Sequence, residues 1–178
     1  MSKRRHIDFI LYEDDVKKVV FRFYPRLSSC HSFGEEPPKS WQEVYKVYYR
    51  YRVLKFYKDA YNGHECYYEL FDSLCDECSI IDDVAASCTY LAEGKTRAIV
   101  TRRNETYTIN LLDNTSFPFG DGVSWTIRKC KNEKYFNFEL FRPDNVGFKF
   151  CLPKERLVEF GNYLIDCCEY MLAHGDPI

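Results

Sequence analysis

Ser116-Phe117-Pro118-Phe119-Gly120-Asp121-Gly122-Val123-Ser124-Trp125 and Ser32-Phe33-Gly34-Glu35-Glu36-Pro37-Pro38-Lys39-Ser40-Trp41 carry Ser, Phe, Ser and Trp in one shared register, and hold the only two tryptophans of the chain. We read them as one loop present twice. Each Trp is followed by an aromatic, β-type run, a turn, a short run and a helix, so the pattern predicts a duplicated unit.

The helices carry the closest match. Ile80, Ile81, Val84, Ala85, Cys88, Leu91 and Ala92 recur at the spacing that gives one apolar stripe on a helix of 3.6 residues per turn. Eighty residues later stand Phe160, Gly161, Leu164, Ile165, Cys168, Met171 and Leu172, the same stripe with one glycine in it. Tyr90 and Tyr170 follow the shared cysteines, and Gly94 and Gly175 stand where positive φ commonly ends a helix. Two copies of this length imply a tandem pair about a pseudo-twofold axis rather than a solenoid.

With 178 residues, 46% of them hydrophobic, the chain can bury a core of its own. No run approaches the ~20 apolar residues of a membrane span, and Met1-Ser2-Lys3-Arg4-Arg5-His6 lacks a signal peptide's apolar centre. The nine cysteines are odd in number and several fall on apolar helix or strand positions. That is how a reducing compartment uses cysteine, as a small hydrophobe. A cytoplasmic protein without a membrane partner is expected.

Strands are expected at 6–12 and 17–24, around Glu13-Asp14-Asp15. A long one follows from 45 to about 58, with Tyr45, Val47, Tyr49, Tyr51 and Val53 on the packing face and Lys46, Tyr48, Arg50 and Arg52 on the other. Asn62-Gly63 signals a hairpin into a strand at 64–71, and a helix follows over 75–93. The second copy is expected to place strands at 96–103, 106–112, 122–131, 134–141 and 146–152, then a helix opened near Pro153. The fold class is α+β: an internally duplicated antiparallel β-meander-plus-helix unit, about four or five strands then one helix, twice, with two helices packed on sheet. The repeats are 1–94 and 95–178, in one globular body.

The net charge of −2 conceals a partition. Residues 1–60 hold 13 Lys/Arg and 8 Asp/Glu, residues 61–94 hold 8 Asp/Glu and no Lys or Arg, and residues 95–178 hold 12 and 11. Glu65, Glu69, Asp72, Asp76, Glu77, Asp82, Asp83 and Glu93 thus have no cation nearby in sequence. Left unpaired, they would attract a basic surface. Neutralisation by Lys and Arg from elsewhere in the chain is the competing reading.

Chemistry is harder to find. His64-x-Cys66 with Cys75-x-x-Cys78 offers thiolates and an imidazole of the kind zinc prefers. A zinc deaminase would need a His-x-Glu and a Pro before the Cys pair, both missing here, and free cysteines outweigh a structural zinc. The chain has no Gly-rich phosphate loop, no serine elbow and no local Cys/His signature. No cofactor and no catalytic residue is expected. Lys46, Tyr48, Arg50 and Arg52 could hold phosphates with a ring for stacking, which makes a nucleic-acid-binding accessory protein the second reading. The first is a non-catalytic protein-binding module that inhibits a nucleic-acid-handling enzyme through its acidic face. Its partner would be a basic protein, such as a nuclease or nucleoprotein complex. Phage inhibitors of host defence nucleases, anti-CRISPR proteins among them, supply the analogy. A small enzyme or zinc-site protein ranks third.

Overall fold

The computed structural model describes residues 6–30, 46–75, 78–102, 104–112, 114–120, 122–131 and 134–174. Among them the chain is α+β, with ten strands in three antiparallel sheets and two helices. β1 (Ile7–Glu13), β2 (Lys17–Cys30), β3 (Lys46–Lys58) and β4 (Glu65–Cys75) form a sheet in sequential order, and α1 (Cys78–Ala92) follows it. β5 (Arg97–Arg102) and β6 (Glu105–Asn110) pair as a hairpin. β7 (Asn114–Gly120), β8 (Val123–Lys129), β9 (Tyr135–Phe141) and β10 (Gly147–Pro153) make the second four-stranded meander, and α2 (Lys154–His174) follows it.

Two compact units result. One is built on β1–β4 and takes in the end of α2 from Glu169; the other runs from Glu77 to Cys168. This division falls at 76/77, whereas the repeat boundary read from the sequence falls at 94/95, so α1 clusters with the elements after it.

In the first unit, alternation sorts the side chains of β2 and β3. Phe21 and Phe23 on β2 lie opposite Val53 and Tyr51 on β3, and all four are fully buried. The Phe21 and Tyr51 rings stack 5.5 Å apart, and Phe71 of β4 continues the row opposite Val53. On the other face Val20 and Leu54 pair and are also buried, flanked by the charged residues Arg22 and Arg52. Burial of all these side chains supplies the main stabilising term at roughly 1.5–3 kcal/mol each.

In the second unit Trp125 and Ile127 of β8 and Phe136, Phe138 and Leu140 of β9 face one core. α2 lays Leu157, Phe160, Leu164, Cys167 and Cys168 into the interior. The Phe160 ring meets Phe138 and Phe150 edge-on at 5.3 and 5.8 Å. α1 buries Ile81, Val84, Ala85, Cys88 and Leu91. Gly161 explains the exception in the repeated stripe: a Cβ there would sit 3.0 Å from the Ala85 carbonyl oxygen and 3.3 Å from the Cys88 Cβ. The two helices approach backbone to backbone at this point. Ile165, expected on the stripe, is instead 37% exposed.

Gly94 ends α1 as anticipated, at φ +74°. Its N–H donates to the Leu91 carbonyl and that of Lys95 to the Tyr90 carbonyl, both at 3.0 Å, the paired bonds of a Schellman motif. One local expectation needs correction. The stretch is no loop: residues 116–120 lie on β7 and 123–125 on β8, with Pro118 opposite Ser124 and Phe117 opposite Trp125. Proline is tolerated because β7 is an edge strand. The hairpin expected at Asn62-Gly63 forms, joining antiparallel β3 and β4 through residues 59–64 rather than through that pair alone. Asp59 organises a longer loop, its carboxylate accepting from the Tyr61 N–H at 2.7 Å and its carbonyl from the Gly63 N–H at 2.9 Å. The first Ser-Phe-Ser-Trp stretch, with Trp41, lies outside the described residues.

Candidate interaction surface

The described carboxylates of residues 61–94 are divided between the two compact units, and several are paired. Glu65, Glu69 and Asp72 stand on β4, while Asp82 and Asp83 stand on α1 and Glu93 directly follows it, in the other compact unit. Asp76 and Glu77 lie outside the described residues. Arg50 grips Asp72 with two hydrogen bonds of 3.0 and 2.8 Å. Arg52 donates to Glu69 at 2.7 Å and to the Tyr24 hydroxyl at 3.0 Å. Arg22 makes the same bidentate contact with Asp8, at 2.9 Å for both bonds. The Asp72 carboxylate holds the Arg50 guanidinium above its ordinary value.

Part of the acidic block and part of the basic stripe therefore neutralise each other across β3 and β4. Each such pair is partly exposed and contributes roughly 0–1 kcal/mol. Glu93 comes within 4.0 Å of Lys95. Asp83 is buried and accepts a hydrogen bond from the Tyr107 hydroxyl of β6, so reversing it to lysine would leave a buried cation in place of that bond. Asp82 is exposed on the same helix. Of the basic stripe, Lys46 and Tyr48 stand on β3 as expected.

His64 and Cys66 lie at the start of β4 and Cys75 at its end. Nine residues of strand at about 3.3 Å each put roughly 30 Å between Cys66 and Cys75, whereas ligands of one zinc lie about 2.0–2.3 Å from it. Cys78 opens α1, in the other compact unit. The purified protein should therefore contain well under one zinc per chain by elemental analysis. One zinc per chain, lost on changing Cys75 and Cys78 to Ser, would overturn that expectation.

Among the described residues, charge counting passed over a set of exposed aromatic side chains. At the end of the first sheet carrying the β1–β2 turn and the β3–β4 loop, Tyr12, Tyr57, Tyr61, Tyr67 and Tyr68 are 36–100% exposed. The Tyr57 and Tyr68 rings lie 5.8 Å apart, and Phe56 lies 5.5 Å from Tyr67. Lys17, Lys18 and Lys55 each place an ammonium 5.3–5.5 Å from a ring centre, over Tyr12, Phe56 and Tyr68. Such contacts hold amphipathic rings in place without covering them. A shallow groove of ≈220 Å³ runs between Glu13, Lys18, Phe56, Lys58 and Glu65.

The turn beneath is held together by local hydrogen bonds. Asp14 accepts from the Tyr12 hydroxyl at 2.7 Å and from the Val16 and Lys17 N–H groups at 2.8 Å. Those three bonds hold its carboxyl below the usual carboxylate range, that of Tyr12 contributing most. The sequence did contain a signal: in a strand, adjacent Tyr67 and Tyr68 must point to opposite faces. Only the folded chain shows that both reach solvent.

No protein-family model matches the chain, and no curated protein or solved structure matches it either.

Proposed function

We propose that this chain is a non-catalytic protein-binding module that meets its partner through the tyrosine-rich end of the first meander. The supporting observation is five exposed tyrosines at one end of the first sheet, Tyr12, Tyr57 and Tyr68 on one face, Tyr67 on the opposite face and Tyr61 in the β3–β4 loop, beyond arginines that are already paired. Tyrosine supplies large contact area with only two side-chain torsions to order, and is enriched where interfaces concentrate their energy. The partner class we favour is a protein with a basic surface, such as a nucleic-acid-handling enzyme, met by Glu13, Asp15 and Glu65 at the same end and by Asp82 and Glu93 elsewhere. The narrower setting, an inhibitor of the phage anti-defence type acting in the cytoplasm, draws on small size and the acidic partition. Direct nucleic-acid binding is less favoured, because Arg50 and Arg52 are committed to Asp72 and Glu69.

We also propose that the two meander-plus-helix units arose by duplication. Each is four antiparallel strands in sequential order followed by a helix, and the helix stripes align at an offset of eighty residues. In this correspondence β8 matches β2, so Trp125 falls on a second strand while Trp41 precedes a third. The helices, not the tryptophans, carry the relationship.

Capture from a lysate with and without nuclease, followed by binding kinetics on the recovered protein, tests the functional reading. The triple variant Tyr57→Ala, Tyr67→Ala, Tyr68→Ala should weaken the complex by at least ~30-fold, the effect of losing about 2 kcal/mol of interface energy. Asp82→Lys with Glu93→Lys should act chiefly on the association rate and its salt dependence. If the tyrosine variant binds normally while acidic reversal abolishes the complex, the acidic residues are the interface and the tyrosine reading fails. If nothing survives nuclease, the chain is a nucleic-acid accessory protein.

A further inference from the structure

The outer strands of the two four-stranded sheets are not alike. The β1–β2 ladder shifts register between Ile10 and Tyr12, the β3–β4 ladder between Val53 and Leu54, and the β7–β8 ladder between Pro118 and Gly120. β10 pairs with β9 in unbroken register, from Gly147 opposite Phe141 to Pro153 opposite Tyr135. A strand this regular presents an even row of backbone groups along its outer side.

Two bonds flanking the ladder identify those groups. The Arg142 N–H donates to the Val146 carbonyl and the Lys154 N–H to that of Lys134, both at 2.9 Å. Bonded and non-bonded pairs alternate in an antiparallel ladder, so Phe148, Phe150 and Leu152 direct their backbone groups to β9. Gly147, Lys149 and Cys151 direct theirs outward, where no described strand lies beside β10. The side chains alternate as well. Gly147, Lys149 and Cys151 are exposed, while Phe148 and Phe150 are half-buried on the face that carries buried Leu152. The Phe150 ring stacks on Phe138 at 4.9 Å and still keeps apolar surface uncovered.

We propose that β10 pairs antiparallel with β10 of a second copy of this chain, about a twofold axis at Phe150, so that two four-stranded sheets become one continuous sheet. In this register Lys149 and the partner's Cys151 exchange two backbone bonds, as do Cys151 and the partner's Lys149. Each Gly147 N–H meets a Pro153 carbonyl, and Pro153, with no N–H of its own, ends the ladder. Phe150 faces the partner's Phe150 and Phe148 the partner's Leu152, so apolar side chains meet on one face. Neighbouring registers are worse. An axis at Lys149 would set two ammonium groups opposite each other, which is destabilising; an axis at Cys151 would put Lys149 opposite proline and forfeit a bond at each end. Lys149 also keeps Glu139 of its own β9 at 3.5 Å, which offsets its charge. A second copy is the occupant because β10 meets these constraints with its own sequence, and such an isologous contact closes on itself.

Sedimentation equilibrium of the whole chain, kept reduced so that no disulfide joins two copies, tests the pairing. A reversible monomer–dimer equilibrium at micromolar concentration is expected. Cys151→Pro removes a donor that β9 does not use, so each chain keeps its own ladder while the dimer loses one bond per copy; the dissociation constant should rise at least ~10-fold. Cys151→Glu sets a carboxylate opposite the partner's Lys149 and should lower that constant ~3-fold. A chain that stays monomeric would overturn the proposal, even if its β10 edge captured a strand of another protein. A dimer that Cys151→Pro leaves intact would overturn it too. Should the proline variant fold poorly, Cys151→Glu decides alone: a tighter dimer supports this register, and an unchanged or weaker one refutes it.

Discussion

Trp125→Ala is expected to remove about 3–5 kcal/mol from the stability of the second unit, the usual result of deleting a fully buried large aromatic. The side chain is wholly inaccessible, lies opposite Phe117 on β7 and Leu140 on β9, and packs its ring 4.9 Å from that of Phe119. No small movement closes such a gap, because β8 is held by ladders on both sides. Whole domains are stable by only about 5–15 kcal/mol, so the variant should unfold at a clearly lower urea concentration. Hydrogen exchange read peptide by peptide should show the loss in β7–β10. Protection of β8 equal to wild type would mean that Trp125 is not the centre of this core.

Gly161→Val should be nearly as damaging, for the opposite reason. The first atom of any side chain there would meet the Ala85 carbonyl at 3.0 Å and the Cys88 Cβ at 3.3 Å. Valine adds two more carbons to that crowding. Overpacking of this kind costs about 1–3 kcal/mol and sometimes more, against which a better helix former returns a few tenths. Because the obstruction is partly backbone, the helices must separate, and the buried face of α1 should lose exchange protection. Gly161→Ala tests the same contact more gently: its helix gain of about 1 kcal/mol roughly offsets the tighter approach, and the net change should lie well below that of valine. A valine variant as stable as wild type would show that the helices do not meet so closely.

Much of the fold could be read from periodicity and turn chemistry, since those are properties of neighbouring residues. Phe21, Phe23, Tyr51 and Val53 announce their strands by alternation, and Gly94 announces the end of α1. β7 was hidden because Pro118 reads as a breaker, although Thr115, Phe117 and Phe119 alternate as a strand should. Proline is excluded from central strands but not from edges, and edge status depends on the whole sheet. The surface was less legible. Composition correctly separates a basic segment from an acidic one, but whether Arg52 meets Glu69 depends on how β3 registers against β4, including an irregularity between Val53 and Leu54. Cross-strand register is a tertiary property. The exposed tyrosines were obscured likewise, because an aromatic strand residue packs or protrudes according to what lies beyond it.

Pro118 has a further effect, on how copies of this chain behave when crowded. The outer rim of β7 is a row of backbone groups that another extended chain could use as a template for growth. A residue without an N–H interrupts that row, and the register irregularity between Pro118 and Gly120 bends it further. An incoming strand would find too short a run of regular donors and acceptors to propagate a cross-β stack. The residue that makes β7 hard to recognise as a strand thus also guards its edge against fibrillar self-association.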